Sequence, residues 1–232
     1  MNIQDTVIDA MFKTGAQYGY QKSRRHPSTT PYIFGTKNGV DIINIEKTKE
    51  LFDKAMAEVK AYAGSGKTIL FVGTKPEARQ AVLETSLALN MPYITERWVG
   101  GILTNFHEIK KRINKLLELR DQKEKGGFDK YTKKEKLLIE KEMEDMTKNF
   151  QGLTNITKIP DAVFVIDSKK EHIAVSEAKK MNIPVIALLN TDCNIKEVNF
   201  PIVSNDASVS SISFFLEKAK DIYREGASGE NK

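Results

Sequence analysis

The residues that most directly suggest chemistry lie in the stretch AYAGSGKT, residues 61–68. Gly66-Lys67-Thr68 fits the end of a phosphate-binding loop, and such a loop would make the chain a nucleotide-dependent enzyme. That loop must join a strand to a following helix, because its amides and the positive helix end converge on the phosphates. Here a helical pattern precedes the glycines and the apolar run ILFV follows them. We therefore predict a helix-ending turn without a nucleotide site, with the enzyme as the rival hypothesis.

Carboxylates that could act as acids or bases follow a second predicted strand. Asp167 ends the run DAVFVID, and Glu171 and Glu177 lie on the next helix. Open sheets place their sites beyond the carboxyl ends of strands, so acid–base chemistry is one interpretation. We favour helix capping and dipole compensation, because no nucleophile–base pattern accompanies these residues. A dinucleotide fingerprint is also missing, since VGTKPEA holds only Gly73.

Metal and disulfide chemistry are not expected. The histidines, His26, His107 and His172, are far apart and lack the spacing of a zinc site. The single cysteine, Cys193, allows no intramolecular disulfide, which indicates a reducing, intracellular setting. No secretory pattern and no bilayer-spanning apolar run is visible, so we expect a cytoplasmic protein without a membrane partner. We expect no cofactor, metal or small-molecule substrate.

Basic charge is the more informative signal. The chain has 36 Lys and Arg against 31 Asp and Glu, a formal net charge of +5, which favours a polyanion such as nucleic acid. Positive residues gather in 21–31 and 107–115, and Arg97 stands beside Trp98 in 96–106. Basic side chains would contact phosphate, Asn105 would cap a helix or contact RNA, and Trp98 would either stack on RNA or pack in a core or interface. The predicted RNA-binding residues are Lys22, Arg24, Arg25, Lys37, Arg97, Trp98, Asn105, Lys110, Lys111 and Arg112.

An α/β scaffold must position these residues. The pattern predicts a helix over 3–15, an irregular basic stretch over 16–31, and a β-hairpin over 32–45 that turns at Asn38-Gly39. Further on, apolar strands alternate with helices, which predicts a parallel sheet with helices on both faces. Residues 105–150 carry no strand signal, and their apolar residues recur every three or four positions. We predict an inserted antiparallel coiled-coil helical hairpin there.

The predicted domain organisation follows from this interruption. One α/β body comprises 1–104 and 151–226, the helical hairpin comprises 105–150, and a disordered tail comprises 227–232. A third functional hypothesis starts from the hairpin. It makes the chain an adaptor with protein partners only.

Several motifs resemble one known family. RWVGGILTNF followed by a basic helix, PYIFGTKNGVDIINIEKT, ILFVGTK and PDAVFVIDSKKEHIAVSEAKKMNIPVIALLNTD are similar to the second protein of the small ribosomal subunit, S-two, of the bacterial and organellar type. SNDASVSSISFFL is a looser match. The resemblance implies a Rossmann-like α/β body with an inserted coiled-coil hairpin. It implies a structural ribosomal protein and no enzyme.

The resemblance also implies partners and a place. The expected partners are small-subunit ribosomal RNA and neighbouring small-subunit proteins, between head and body on the solvent side, with support for docking ribosomal protein S-one. One departure concerns GAQYGYQ, which places Gln17 and Tyr20 where the family usually has histidines. Zinc or RNA contacts attributed to those histidines are therefore not carried over. His26 stands where a Trp is usual, whereas Arg24-Arg25 is kept.

Overall fold

A computed structural model describes residues 3–128 and 131–228. The helices are α1 (Ile3–Lys13), α2 (Ile45–Gly64), α3 (Pro76–Leu89), α4 (Phe106–Glu124), α5 (Lys133–Phe150), α6 (His172–Lys180) and α7 (Val209–Ser228). The strands are β1 (Tyr18–Gln21), β2 (Ile33–Lys37), β3 (Val40–Ile43), β4 (Ile69–Val72), β5 (Tyr93–Ile94), β6 (Ala162–Ile166), β7 (Val185–Leu189) and β8 (Phe200–Val203). Among these residues, no helix is long and apolar enough to cross a membrane.

The centre of the fold is a parallel sheet of five strands in the order β5-β4-β6-β7-β8. Every residue of β4, β6 and β7 is buried, because both faces of the sheet are covered. Ile69 and Phe71 face a core built with α1, α2, α3 and α7. Leu70 and Val72 face a second core that includes α6 and the base of α4 and α5. The predicted α/β class with helices on both faces is confirmed.

A separate antiparallel sheet, β1-β3-β2, precedes the body. Asn38 and Gly39 have φ of 52° and 78°, as a two-residue hairpin turn between β2 and β3 requires. The expectation that 16–31 is irregular was wrong in part. Tyr18–Gln21 forms β1, and Pro27–Tyr32 forms a 3₁₀ helix. β1 pairs with β3, a partner distant in sequence, which local pattern does not reveal.

Helices α4 and α5 form the predicted hairpin. Thr132 and Glu135 form a capping box that starts α5. Lys115 and Lys123 of α4 pair with Glu142 and Glu140 of α5 across the seam. At the base of the hairpin, buried apolar side chains from both helices join the second core: Ile109, Ile113, Leu116 and Phe150. The base is therefore continuous with the body, and the division into two domains stays a prediction.

The closing helix α7 runs two residues beyond its predicted end at Gly226. A Cβ at Gly226 would lie 2.8 Å from the Lys60 carbonyl oxygen, so this glycine allows α7 to approach α2 closely. Ala227 and Ser228 are helical rather than part of a disordered tail. Residues 229–232 of the predicted tail lie outside the described residues.

Candidate nucleic-acid interface

One end of the small sheet presents exposed lysines. Lys37 ends β2, and the backbone amide of Lys22 donates to the Gly39 carbonyl at 2.9 Å. Both lysines therefore flank the β2–β3 turn, and both are exposed. Neither forms an ion pair within the described residues. This arrangement leaves two exposed ammonium groups beside the turn, where a polyanion can reach them.

Arg25, unlike these lysines, forms an internal ion pair. Its Nε donates to Asp41 Oδ2 at 2.7 Å and its Nη2 donates to Thr36 Oγ1 at 3.0 Å. Asp41 is fully buried, and the hydrogen bond from Arg25 is the main cause that lowers the pKa of Asp41. A bidentate pair of this kind braces β2 and β3 from inside. The predicted phosphate contact by Arg25 would have to compete with this internal partner.

Arg24 lies between the small sheet and the ends of the parallel strands. Its guanidinium carbon is 4.5 Å from the centre of the Tyr20 ring, a cation–π distance. Its Nη2 is 3.6 Å from Asp192, and 55% of its side chain is exposed. The exposed edge of Arg24 therefore remains accessible to a phosphate, unlike Arg25.

The loop before α4 folds around one buried carboxylate. Glu177 of α6 accepts from Trp98 Nε1 at 3.1 Å, from Gly101 N at 2.7 Å, and through its other oxygen from Leu103 N at 3.1 Å. The amide and hydroxyl of Thr104 donate to the same oxygen. Burial opposes ionisation, but these donors outweigh it and lower the pKa of Glu177. Because five donors converge on this carboxylate, the loop needs no regular hydrogen-bond ladder of its own.

Two adjacent predicted site residues have different environments in this loop. Trp98 is only 6% exposed and packs in the second core, so the core interpretation of this residue agrees with the structure. Its neighbour Arg97 is exposed and forms no ion pair within the described residues. Sequence reasoning treated Glu177 as a possible acid or base and missed its partner loop. No sequence signal links positions 73 to 79 residues apart, so the contact could not have been found.

The start of α4 carries the remaining predicted residues. Asn105 is the N-cap residue of α4, but its side chain makes no capping hydrogen bond. Lys110 donates to the Thr157 carbonyl at 2.8 Å, and Lys111 forms an exposed ion pair with Glu108 at 2.8 Å. Such an exposed pair contributes little, so Lys111 can exchange it for a phosphate. Arg112 lines a groove of about 620 Å³ between the two helices and forms no ion pair in the described part of the chain.

The AYAGSGKT stretch does not form a phosphate-binding loop. It connects the C-terminal end of α2 to β4, as predicted. Lys67 Nζ lies 5.3 Å from the centre of the Tyr62 ring, and the Lys67 carbonyl accepts from the Tyr223 hydroxyl at 3.0 Å. The negative end of a helix faces this turn, which disfavours an anion.

Comparison with known sequences decides between these interpretations. A profile of the family described as Ribosomal protein S2 matches residues 11–226. The chain belongs to this family. Its curated relatives include proteins named small ribosomal subunit protein uS2. That of Dehalococcoides mccartyi is 40% identical over 216 residues, covering 93% of this chain and 88% of the relative. That of Kocuria rhizophila is 41% identical over 221 residues, covering 93% and 76%, and that of Nocardia farcinica is 39% identical over 220 residues, covering 95% and 77%.

Membership of the ribosomal protein S2 family identifies a structural ribosomal protein and not an enzyme. It leaves open what the buried carboxylates at the strand ends do. Lys75 Nζ lies 2.5 Å from Asp167 Oδ2 and 2.9 Å from Asp206 Oδ2. Burial alone would lower the pKa of Lys75, but Asp206 and Asp167 outweigh burial and raise it. The ammonium therefore stays charged between two carboxylates.

These residues do not fit a metal ion. Asp167, Cys193 and Asp206 lie close enough to share one, but the Lys75 ammonium already occupies the space between the two carboxylates. Burial raises the pKa of the Cys193 thiol to about 12, so no thiolate is present at neutral pH. Tyr20, which stands at one usual histidine position, is covered by Arg24 and lies 5.9 Å from Lys75 Nζ. The cluster is an internal salt bridge.

Proposed function

We propose that this chain holds small-subunit ribosomal RNA between head and body on the solvent side of the subunit, and supports docking of ribosomal protein S-one. The family match over residues 11–226 carries this proposal, since its relatives are named as small ribosomal subunit proteins. The coarser statement, that this is a structural small-subunit protein acting in translation, follows from the same match. The α/β body is one domain and residues 105–150 form a second, projecting one.

The RNA contact is electrostatic in this proposal. Lys22 and Lys37 form one exposed basic site on the small sheet, and Arg97, before α4, and Arg112, in α4, are further exposed cations. All four side chains lack an ion-pair partner within the described residues, so binding phosphate costs no internal contact. Lysine contacts position a protein on RNA without reading sequence. Shape and backbone recognition of this kind suits a large folded RNA.

Salt dependence of binding tests the RNA contact. Full-length protein is titrated with small-subunit ribosomal RNA at several salt concentrations. The logarithm of the binding constant should fall by roughly 0.7–0.9 per phosphate contact for each unit of log salt. Replacing Lys22 and Lys37 by Gln should reduce that slope, while replacing the exposed Lys54 and Lys60 of α2 should not. A flat salt response of the wild type would contradict RNA binding.

Docking of S-one is tested separately. Small subunits are assembled with and without this chain, and bound S-one is measured after sedimentation. Subunits without the chain should retain less S-one. Equal retention would remove this part of the proposal and leave the RNA contact untouched.

A further inference from the structure

Helix α6 presents a solvent face that carries only positive charge. Its buried side is formed by Ala174, Val175, Glu177 and Ala178. The exposed positions of the helix are His172, Ile173, Ser176, Lys179 and Lys180, and the preceding turn exposes Lys169 and Lys170. The two acidic residues of this segment, Glu171 and Glu177, are 3% and 6% exposed. From 168 to 182 no acidic side chain therefore reaches the surface.

Both inward acids have internal partners that keep them there. Glu171 accepts from the amide of Thr74 at 3.1 Å and from the Thr74 hydroxyl. Glu177 holds the loop before α4, as described above. The absence of negative charge from the outer face of α6 is thus a result of packing. It does not depend on side-chain mobility.

Helix α2, on the opposite face of the parallel sheet, is different. It carries four lysines and four acidic residues, and Lys49 pairs with Asp53 at 2.5 Å. Opposite charges at helical spacing cancel locally and give an ordinary solvated surface. The four exposed lysines of α6 and its preceding turn have no exposed acid on the same segment, and Glu197 lines a groove together with Lys179 and Lys196. Of the four, only Lys169 has an ion pair in the described part of the chain, with Asp192 at 3.0 Å.

We propose that the outer face of α6, through Lys170, Lys179 and Lys180, is a further contact surface for the RNA backbone. This inference rests on the proposed function and adds a surface to it. The helix spans roughly 14 Å at 1.5 Å per residue, so its two lysine pairs stand at opposite ends and reach separate phosphates. Lysine is a flexible point charge, which suits contact with backbone rather than with bases.

An acidic protein is the competing partner for this face. Protein interfaces have an apolar centre, with charged residues depleted there. The face of α6 has only Ile173 and Met181 as exposed apolar residues, 47% and 39% exposed, among four lysines. Ribosomal RNA supplies a denser row of negative charge and requires no apolar centre. The composition of the face therefore favours RNA.

A pair of double variants tests this proposal. Lys179→Gln with Lys180→Gln removes two charges from α6, and Lys54→Gln with Lys60→Gln removes two exposed charges from α2. Glutamine is a good helix former, so both variants should fold. The α6 variant should lower the slope of log binding constant against log salt by roughly 1.4–1.8, because two phosphate contacts are lost. The α2 variant should keep the wild-type slope.

Positive charge at a helix end also stabilises the helix, so thermal unfolding must be measured beside binding. Weaker binding with an unchanged melting temperature supports contact with RNA. A second readout needs no variant: bound RNA should protect Lys179 and Lys180 from acetylation and leave Lys54 and Lys60 reactive.

Each remaining outcome has a definite meaning. If the α6 variant keeps the full salt slope of the wild type, the α6 contact is wrong and the proposed function still stands. Failure of the wild type to bind RNA overturns the proposed function itself. The α6 variant could also bind isolated RNA normally but be lost from complete subunits. That result would overturn the RNA contact and assign α6 to an acidic protein.

Discussion

Glu177 keeps a negative charge in the interior, and no cation pairs with it in the part of the chain that the structure describes. Its neutralisation comes from hydrogen bonds alone, since five donors of residues 98–104 converge on its two oxygens. Hydrogen bonds to a charged group contribute more than neutral ones, and buried donors left unpaired are costly. The neighbouring Arg97 and the first turn of α4 are both attached to this loop. A buried residue that is not among the predicted RNA contacts therefore sets the geometry of one predicted contact site.

We predict that Glu177→Gln loosens this loop. The amide nitrogen of glutamine would face donors that now meet an oxygen, so the unfolding free energy should fall by about 2–3 kcal/mol. Trp98 is the only tryptophan of the chain, so its fluorescence reports on the loop alone. Its emission should shift to longer wavelength and become easier to quench. Ser176→Gln, an exposed change on the same helix, is the control, and an unshifted emission in Glu177→Gln would contradict the role of this carboxylate.

Asp206 gives a second prediction at the scale of single residues. Its pKa is raised, whereas the pKa of Glu177 is lowered. Burial raises the pKa of Asp206 to about 6, against the attraction of Lys75. Between pH 4 and pH 6 the folded state therefore binds a proton that the unfolded state has lost, so stability from this group falls as pH rises. Asp206→Asn should abolish this loss. The unfolding free energy of the variant relative to wild type should rise by roughly 2–3 kcal/mol from pH 4 to pH 7.

Urea denaturation across that pH range measures the effect of Asp206→Asn. Asp221→Asn, an exposed change on α7, controls for the removal of one carboxylate. If the unfolding free energies of wild type and Asp206→Asn change in parallel with pH, Asp206 does not titrate in this range as predicted.

The secondary structure elements differ in how far the sequence alone could predict them. Asn38-Gly39 signals its hairpin locally, and the helical spacing of apolar residues over 105–150 signals α4 and α5. Strand β1 was missed because Tyr18–Gln21 contains a glycine and gains its pairing from β3. The candidate site was harder still. Arg24 and Arg25 are adjacent in sequence, and only the fold shows that Arg25 forms an internal ion pair with Asp41.

The small sheet depends on a close contact that explains Gly19. A Cβ at this position would lie 2.7 Å from Thr191 Cγ2 and 3.1 Å from the Asp41 carbonyl oxygen. We predict that Gly19→Ala forces β1 away from Thr191, which also accepts from the Tyr20 amide at 3.0 Å, and costs about 1–3 kcal/mol. Gly35 of β2 has no atom within 4 Å of such a Cβ and provides a matched control.

Urea denaturation of the two alanine variants compares these positions directly. Gly19→Ala should unfold at a lower urea concentration than wild type, and Gly35→Ala should unfold close to it. Equal midpoints for the two variants would mean that β1 is free to shift, and that the basic turn of Lys22 and Lys37 is not rigidly held.

Charge is unevenly distributed over the whole molecule. The α6 segment, on one face of the parallel sheet, exposes Lys170, Lys179 and Lys180 without an exposed acid of its own, and Lys22, Lys37, Arg97 and Arg112 are exposed without an ion pair within the described residues. The opposite layer, α2 with α3 and α7, mixes both signs. The parallel sheet lies between α6 and this mixed layer. The molecule is thus suited to bind RNA through the α6 face, because no exposed acid of the same segment offsets the cations there.

The helical hairpin makes a separable contribution to this arrangement. Its residues Ile109, Ile113, Leu116 and Phe150 belong to the second core. Phe128, in the connection between α4 and α5, is buried outside that core and contacts Tyr131, and Leu137 and Leu138 are 65% and 57% exposed. Replacing residues 121–141 by a short Gly-Ser linker should therefore change the unfolding free energy by less than about 1 kcal/mol, because a flexible connection costs little loop-closure entropy. Leu116→Ala should instead cost about 2–5 kcal/mol, since it leaves a cavity in the core.

If the hairpin reaches a separate surface of the subunit, the shortened protein should sediment less with small subunits despite its normal stability. Leu116→Ala, measured at a temperature where it is still folded, should sediment like wild type, because its surface is unchanged. Sedimentation of both variants with small subunits therefore distinguishes a contact made by the distal hairpin from an effect of the hairpin on the stability of the fold. A shortened chain that unfolds as easily as Leu116→Ala would mean that the distal hairpin supports the body, and its projecting role would have to be given up.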